Sequence, residues 1–244
     1  MHSPRIPILM YHKIDACPAG AKVPHHYVHP ARFSAHLRAL TSFGFQTTTL
    51  SGAVSMLDGN LAQTKKPIVL TFDDGYENFV SKAVPAMLII KATGTVFVVT
   101  GQFGGTNAWD TALGDVPESL MTAEDIVKVA AMGFEIGSHS VNHARLATVA
   151  PEVAHREIVD SKRAIGTLLG KEPDVFCYPY GSYTDDVLHA VEQAGYSAAC
   201  SVEKGWNDAN TDRFRMKRVN VRRDTSSPIL FWKLWSQGRI RPRN

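Results

Sequence analysis

Apolar and polar positions along this chain keep two rhythms. Unbroken apolar stretches at residues 8–11, 68–72 and 175–178, and a β-branched stretch at 95–100, read as strands buried on both faces. Further short strands are predicted at 45–50, 134–137, 196–202 and 216–221. Between them the spacing turns helical. Phe33, Leu37, Leu40 and Phe43 fall on one face of a helix predicted over 30–43, which Gly44 stops. Other helices are predicted over 51–57, 76–91, 122–133, 151–169, 184–194 and 228–235. Pro85 breaks or bends the one over 76–91. Thr122 with Asp125 three residues on is close to a capping box. Residues 15–29 and 101–120 are loops, and the second carries Trp109 and Asp110. A loop of that length is usually functional or mobile. Strands that alternate with helices imply a parallel α/β sheet. Seven or eight such units without a linker or repeat predict one domain over 1–244, closed as a barrel.

Composition narrows the role of such a barrel. Its apolar and charged fractions, 44% and 20%, are those of a soluble globular protein. A net charge of +3 is too weak for a chain whose main partner is nucleic acid. The basic clusters, Lys217-Arg218 with Arg222-Arg223 and a second at 239–243, read as a solvated face and a tail. The three cysteines, Cys17, Cys177 and Cys200, form no disulfide framework, and Cys177 reads as a small buried hydrophobe. No apolar run approaches the length of a membrane span. The start of the chain has no signal-peptide core, which predicts a cytoplasmic protein unless a leader precedes it.

The candidate chemistry sits where strands end. His12, Asp73-Asp74, His139 and Tyr180 each follow the C-terminal end of a predicted strand. In a parallel barrel those ends converge on the face that carries active sites. Two adjacent carboxylates are costly unless a cation neutralises one or a proton sits on the other. Asp73-Asp74-Gly75 also reads as a tight turn, because Asp-Gly is a turn dipeptide. His139 and His143 are four apart, and on a helical turn they project to one side. Two histidines and one aspartate make a three-ligand site with a position left open, as catalytic zinc has; iron, cobalt or nickel would also fit. Spacing does not say which aspartate binds metal and which takes a proton from water. Trp109 and Asp110 read as a sugar-stacking lid or as a loop folded onto the barrel. Trp232 and Trp235, three apart on the last helix, read as packing. His25, His26 and His29 read as a solvated loop.

Thr71-Phe72-Asp73-Asp74-Gly75, His139-Ser140-Val141-Asn142-His143 and Tyr178-Pro179-Tyr180-Gly181 resemble, in order, three motifs of the polysaccharide deacetylases, the NodB-homology or family 4 carbohydrate esterases. The resemblance implies a distorted (β/α) barrel with seven strands. It implies Asp73 as general base, and Asp74, His139 and His143 as ligands of one divalent metal, commonly zinc. It also implies the Tyr180 backbone N–H as an oxyanion donor and an N-acetylated carbohydrate as substrate. The third motif usually carries an arginine that orients the base, and Cys177 stands there instead. Arg218, in the strand predicted at 216–221, is the candidate replacement. The family's late general-acid histidine is missing after the barrel. Leu9-Met10-Tyr11-His12 resembles the permuted branch that includes the poly-N-acetylglucosamine deacetylases, where the first strand supplies that acid; this assigns His12. Other readings are a cyclic-amide or ureide hydrolase on the same scaffold and a non-catalytic carbohydrate-binding relic.

Overall fold

In the computed structural model, which describes residues 5–62 and 65–238, the apolar stretches become short strands and the periodic ones helices. In chain order these are β1 (Ile8–Tyr11), α1 (Pro30–Ser42), β2 (Gln46–Thr48), α2 (Leu50–Leu57), β3 (Pro67–Phe72) and α3 (Val84–Ile89). They continue as β4 (Thr95–Val98), α4 (Ala108–Thr111), α5 (Ala123–Ala131), β5 (Glu135–Ser138) and α6 (Pro151–Leu169). The last are β6 (Val175–Cys177), α7 (Asp185–Gln193), β7 (Ala198–Cys200), β8 (Val219–Asn220) and α8 (Ser227–Gln237). Thr122 and Asp125 close a full capping box at the start of α5.

The strands pair in parallel in the order β7-β6-β5-β4-β3-β1-β8, and β2 pairs with the outer end of β3. A parallel bridge between Cys200 and Met216 joins β7 to the segment that leads into β8. The seven strands of this path therefore curl toward closure, the barrel that the alternation predicts in the distorted form that the family resemblance implies. The strand period of two divides each strand between an inner and an outer layer. Ile8, Val69, Phe97, Val175, Cys177, Ala198 and Cys200 fill the inside and meet Leu50, Val54 and Leu57 of α2. Leu9, Leu70, Phe72, Val96 and Val98 face the helices on the outside. Burying each such side chain stabilises the fold by roughly 1.5–3 kcal/mol. The inner layer is tight. A Cβ on Gly137 would stand 2.5 Å from the Phe97 ring, so β5 tolerates only glycine there.

Pro85 acts as predicted, with a particular outcome. Residues Phe79–Ala83 form a π turn that runs directly into α3. Proline lacks the N–H that an α-helix needs, and the widened turn absorbs the misfit. Trp232 and Trp235 are not core residues: they are 63% and 55% exposed on α8, while Leu230 and Leu234 face the core. Both faces of that helix are apolar, so spacing alone could not choose the buried one. The basic residues at 239–243 lie outside the described residues.

Candidate active site

Register brings the strand ends to one level. Tyr11 pairs with Phe72, so His12 and Asp73 leave the barrel side by side, and the Asp73 N–H donates to the Tyr11 carbonyl (3.0 Å). Val98 pairs with Ser138, which puts His139 at the same mouth. His12, Asp73 and His139 keep the inward phase of Ile8, Val69 and Gly137, from which each is an even number of residues away. They line a cavity of about 350 Å³ together with Asp74, His143, Tyr180 and Arg218.

Asp73 and Asp74 have different surroundings. The Arg218 guanidinium grips Asp73 with both forks, Nη1 to Oδ1 at 2.7 Å and Nη2 to Oδ2 at 2.8 Å. Arg218 is itself held by the Ser201 carbonyl (Nε, 2.8 Å) and by Thr71 Oγ1 (3.2 Å). Both partners are buried. Burial pushes the Asp73 carboxyl up, and the Arg218 charge with His12 more than offsets it, so the group sits below the usual carboxylate range. Cys177 Sγ lies 3.2 Å from Arg218 Nη2. Burial raises that thiol to about 11, so it stays neutral beside the pair. His12 Nε2 stands 3.9 Å from Asp73 Oδ2. Burial lowers its pKa, and Asp73 and Asp74 only partly offset this.

Asp74 turns the other way, with φ at 76°. Its Oδ1 is 3.3 Å from His139 Nε2 and 3.2 Å from His143 Nε2. Three ligand atoms about 2.0–2.1 Å from a tetrahedral cation lie about 3.3–3.4 Å apart, so this set fits a divalent metal as it stands. His139 Nδ1 donates to the Cys177 carbonyl (2.7 Å), which leaves the Nε2 lone pair available to a metal. His143 Nδ1 is buried without a partner, and its ring is held by stacking on Trp109 (4.4 Å) and by the Tyr180 edge (4.5 Å).

The two histidines do not share a helical turn. Ser140 and His143 both take left-handed backbone, φ 65° and 58°, and the segment is a loop. Its scaffold is Glu157 of α6, whose carboxylate accepts the N–H groups of Val141 (2.9 Å) and Asn142 (2.8 Å) and the Asn142 side-chain amide (2.7 Å). Of the six non-glycine residues with positive φ among those described, four are Asp74, Ser140, His143 and Tyr180. Strain of this kind gathers where the surroundings fix a working geometry.

Two loops complete the mouth. Asn107 staples the 101–120 loop by accepting the Glu118 N–H (2.7 Å), and this carries Trp109 over His143. Lys13, fully buried, lies against the rings of Tyr27 (4.6 Å) and Tyr76 (4.7 Å) and clamps the 15–29 loop to the barrel. That loop is not simply solvated. His26 stacks on His12 with centroids 3.8 Å apart and planes 16° from parallel. Burial pushes its pKa down to about 2.

Sequence reasoning missed His26, Glu157 and Arg145, whose guanidinium lies 3.7 Å from the Tyr180 ring centroid. Glu157 had a legible signal, a carboxylate on the buried stripe with Ala154, Ile158, Ser161 and Ile165.

A family model described as Polysaccharide deacetylase matches residues 60–199, more than half of the chain. The Bacillus subtilis (strain 168) protein YxkH, named as a polysaccharide deacetylase, is 28% identical over 89% of this chain and 71% of its own length. The poly-beta-1,6-N-acetyl-D-glucosamine N-deacetylase of Staphylococcus aureus (strain MSSA476) is 22% identical over 70% of this chain, which spans 59% of that enzyme. Among solved structures, the Streptococcus pyogenes deacetylase PplD in complex with acetate superposes with a TM-score of 0.81 at 25% identity, over 95% of this chain and 99% of that one. IcaB from Ammonifex degensii shares the fold, with a TM-score of 0.79 at 21% identity over 96% and 97% of the two chains.

Proposed function

The chain belongs to the polysaccharide deacetylase family, and on that premise we propose that it hydrolyses N-acetyl groups from a carbohydrate and releases acetate. The carrying observation is the division between neighbouring carboxylates, one gripped by Arg218 and the other facing two imidazoles. Asp74, His139 and His143 would hold one divalent cation, zinc by preference with cobalt, nickel or iron as substitutes. Bound there, it supplies Lewis-acid polarisation of the acyl oxygen.

Asp73 accepts the proton of the attacking water. Arg218 keeps it ionised and aimed; Oδ2 also accepts the Cys177 thiol (3.8 Å), and Oδ1, with Arg218 alone on it, retains a second lone pair for that proton. The Tyr180 N–H donates to the oxyanion, and preorganised donors of this type usually supply the largest single contribution. An amine leaves poorly unless protonated, and His12, 3.9 Å from Asp73, gives it that proton. His26 fixes the plane of the His12 ring by stacking on it. Trp109 and Tyr180 wall the cavity and pack against a sugar ring. The names of the relatives support an N-acetylglucosamine-containing polymer or oligosaccharide as substrate.

The test is acetate release from a panel of N-acetylated sugars by metal-loaded protein, chelated protein and Asp73→Asn. Release should need the metal and fall about 10²–10⁴-fold in the variant. Undiminished release by either the chelated protein or Asp73→Asn would refute the assignment.

A further inference from the structure

Beside the catalytic pocket lies a second, larger cleft of about 800 Å³, bounded by the 15–29 loop, the first turn of α1 and residues 222–224. Three guanidinium groups line it, those of Arg32, Arg222 and Arg223. None of the three has a carboxylate within 4.0 Å among the described residues. Arg32 donates to the Arg223 carbonyl, which orders the wall without neutralising either charge. Of the two acids in the lining, Asp15 is paired with Lys82, so Asp224 alone opposes the three cations. Arg163, Arg213, Arg215 and Arg218 all have carboxylate partners.

The cleft adjoins the catalytic pocket. His25 lines the first and His26 the second, and their rings meet edge to face at 4.6 Å. His26 in turn stacks on His12 at 3.8 Å. A row of three imidazoles therefore runs from the proposed proton donor to the arginines. Asn220 lines the pocket and Arg222, two residues on, lines the cleft. A glycan whose acetamido group sits against Asp73 extends naturally along this row.

From this we infer that the cleft is a subsite for an anionic group, a phosphate or a carboxylate, carried by the glycan near its scissile acetamido group. The inference rests on the deacetylase reading above. Guanidinium forks match the paired oxygens of both anions, and uncompensated positive charge in a concave wall concentrates them. The cleft thus selects charged substrates, while the pocket performs the cleavage.

The experiment compares kcat/KM on N-acetylated oligosaccharides matched in length: neutral, phosphorylated and uronate-containing. Wild-type protein should favour at least one anionic form by roughly tenfold or more. Added salt should shrink that preference. In an Arg222→Gln/Arg223→Gln double variant the ratio of anionic to neutral kcat/KM should fall toward one. A phosphate preference and a uronate preference separate the two sources. Equal wild-type values on all three substrates, or an unchanged ratio in the double variant, overturn the subsite. Equilibrium dialysis of inorganic phosphate against the whole protein needs no turnover. Binding weakened in the double variant supports the subsite, and identical binding in both proteins overturns it. If no sugar yields acetate, the deacetylase reading fails while dialysis still decides the subsite.

Discussion

Arg218 reaches Asp73 from the segment that enters β8, across the position of β1, while Cys177 at the end of β6 leaves the space it needs. The positive charge held against Asp73 comes from the residue just before β8, not from position 177. A smaller neutral residue at 177 is what lets a long side chain from 218 lie flat against the carboxylate. The pair is fully buried, so its worth lies in geometry and not in attraction alone. Lysine would keep the charge and lose the fork. Arg218→Lys should therefore lower kcat about 10²-fold through misplacement of Asp73, with metal content unchanged. Steady-state kinetics with metal analysis on the same preparation checks this. Equal loss of metal and activity would mean that Arg218 supports the ligands instead. Arg218→Ala should also lose about 3–5 kcal/mol of stability, because the buried carboxylate is then alone.

At the scale of elements, the ligand loop after β5 is shaped by α6. Glu157 takes up three N–H groups of that loop, and Ser140 Oγ accepts the His143 N–H (3.0 Å). With these bonds in place two left-handed residues persist in five. Glu157→Ala leaves the donors unsatisfied and frees the loop. Metal affinity should fall about 10–100-fold, as it does when groups behind metal ligands are removed, while the barrel stays folded. A competition titration against a chromophoric chelator reads the affinity, and circular dichroism reads the fold; unchanged affinity would sink the idea. The same loop marks where the sequence stops being legible. Strand ends, their alternation and the inward phase of His12, Asp73 and His139 follow from period and composition. The helical turn assumed for His139 and His143 does not, because their convergence depends on a carboxylate fourteen residues beyond the second histidine in another element. His26 was hidden for a similar reason. Nothing local distinguishes it from its exposed neighbour His29, and only the fold of the 15–29 loop brings it onto His12.

Across the whole molecule, the mouth of the barrel is tied to its helical shell by a buried imidazole kept neutral. His36 of α1 is fully buried, accepts from the Tyr11 hydroxyl at Nδ1 (3.1 Å) and donates from Nε2 to the Thr225 carbonyl (2.8 Å). One ring thus joins β1, α1 and the approach to α8. Burial pushes its pKa down to about 4, although the Thr225 carbonyl opposes this. The unfolded chain binds a proton near 6.5, so between 6.5 and about 4 the unfolded state holds more protons than the folded one. Stability therefore rises with pH across that window and is lost as pH falls through it. The gap corresponds to about 3 kcal/mol for this residue. Its proton also takes the lone pair to which Tyr11 donates, so the hydroxyl has to turn and accept instead, while the charge is buried. Gln at this position keeps an amide donor for Thr225 and cannot titrate. His36→Gln should be less stable than the parent at pH 7.5 yet lose less on going to pH 4.5, so that the two urea midpoints converge. His26, held at about 2, contributes the same sign in both proteins and cancels from the difference. Parallel midpoint curves over that range would show that His36 binds its proton alike in the folded and unfolded chain, and would place the acid sensitivity elsewhere.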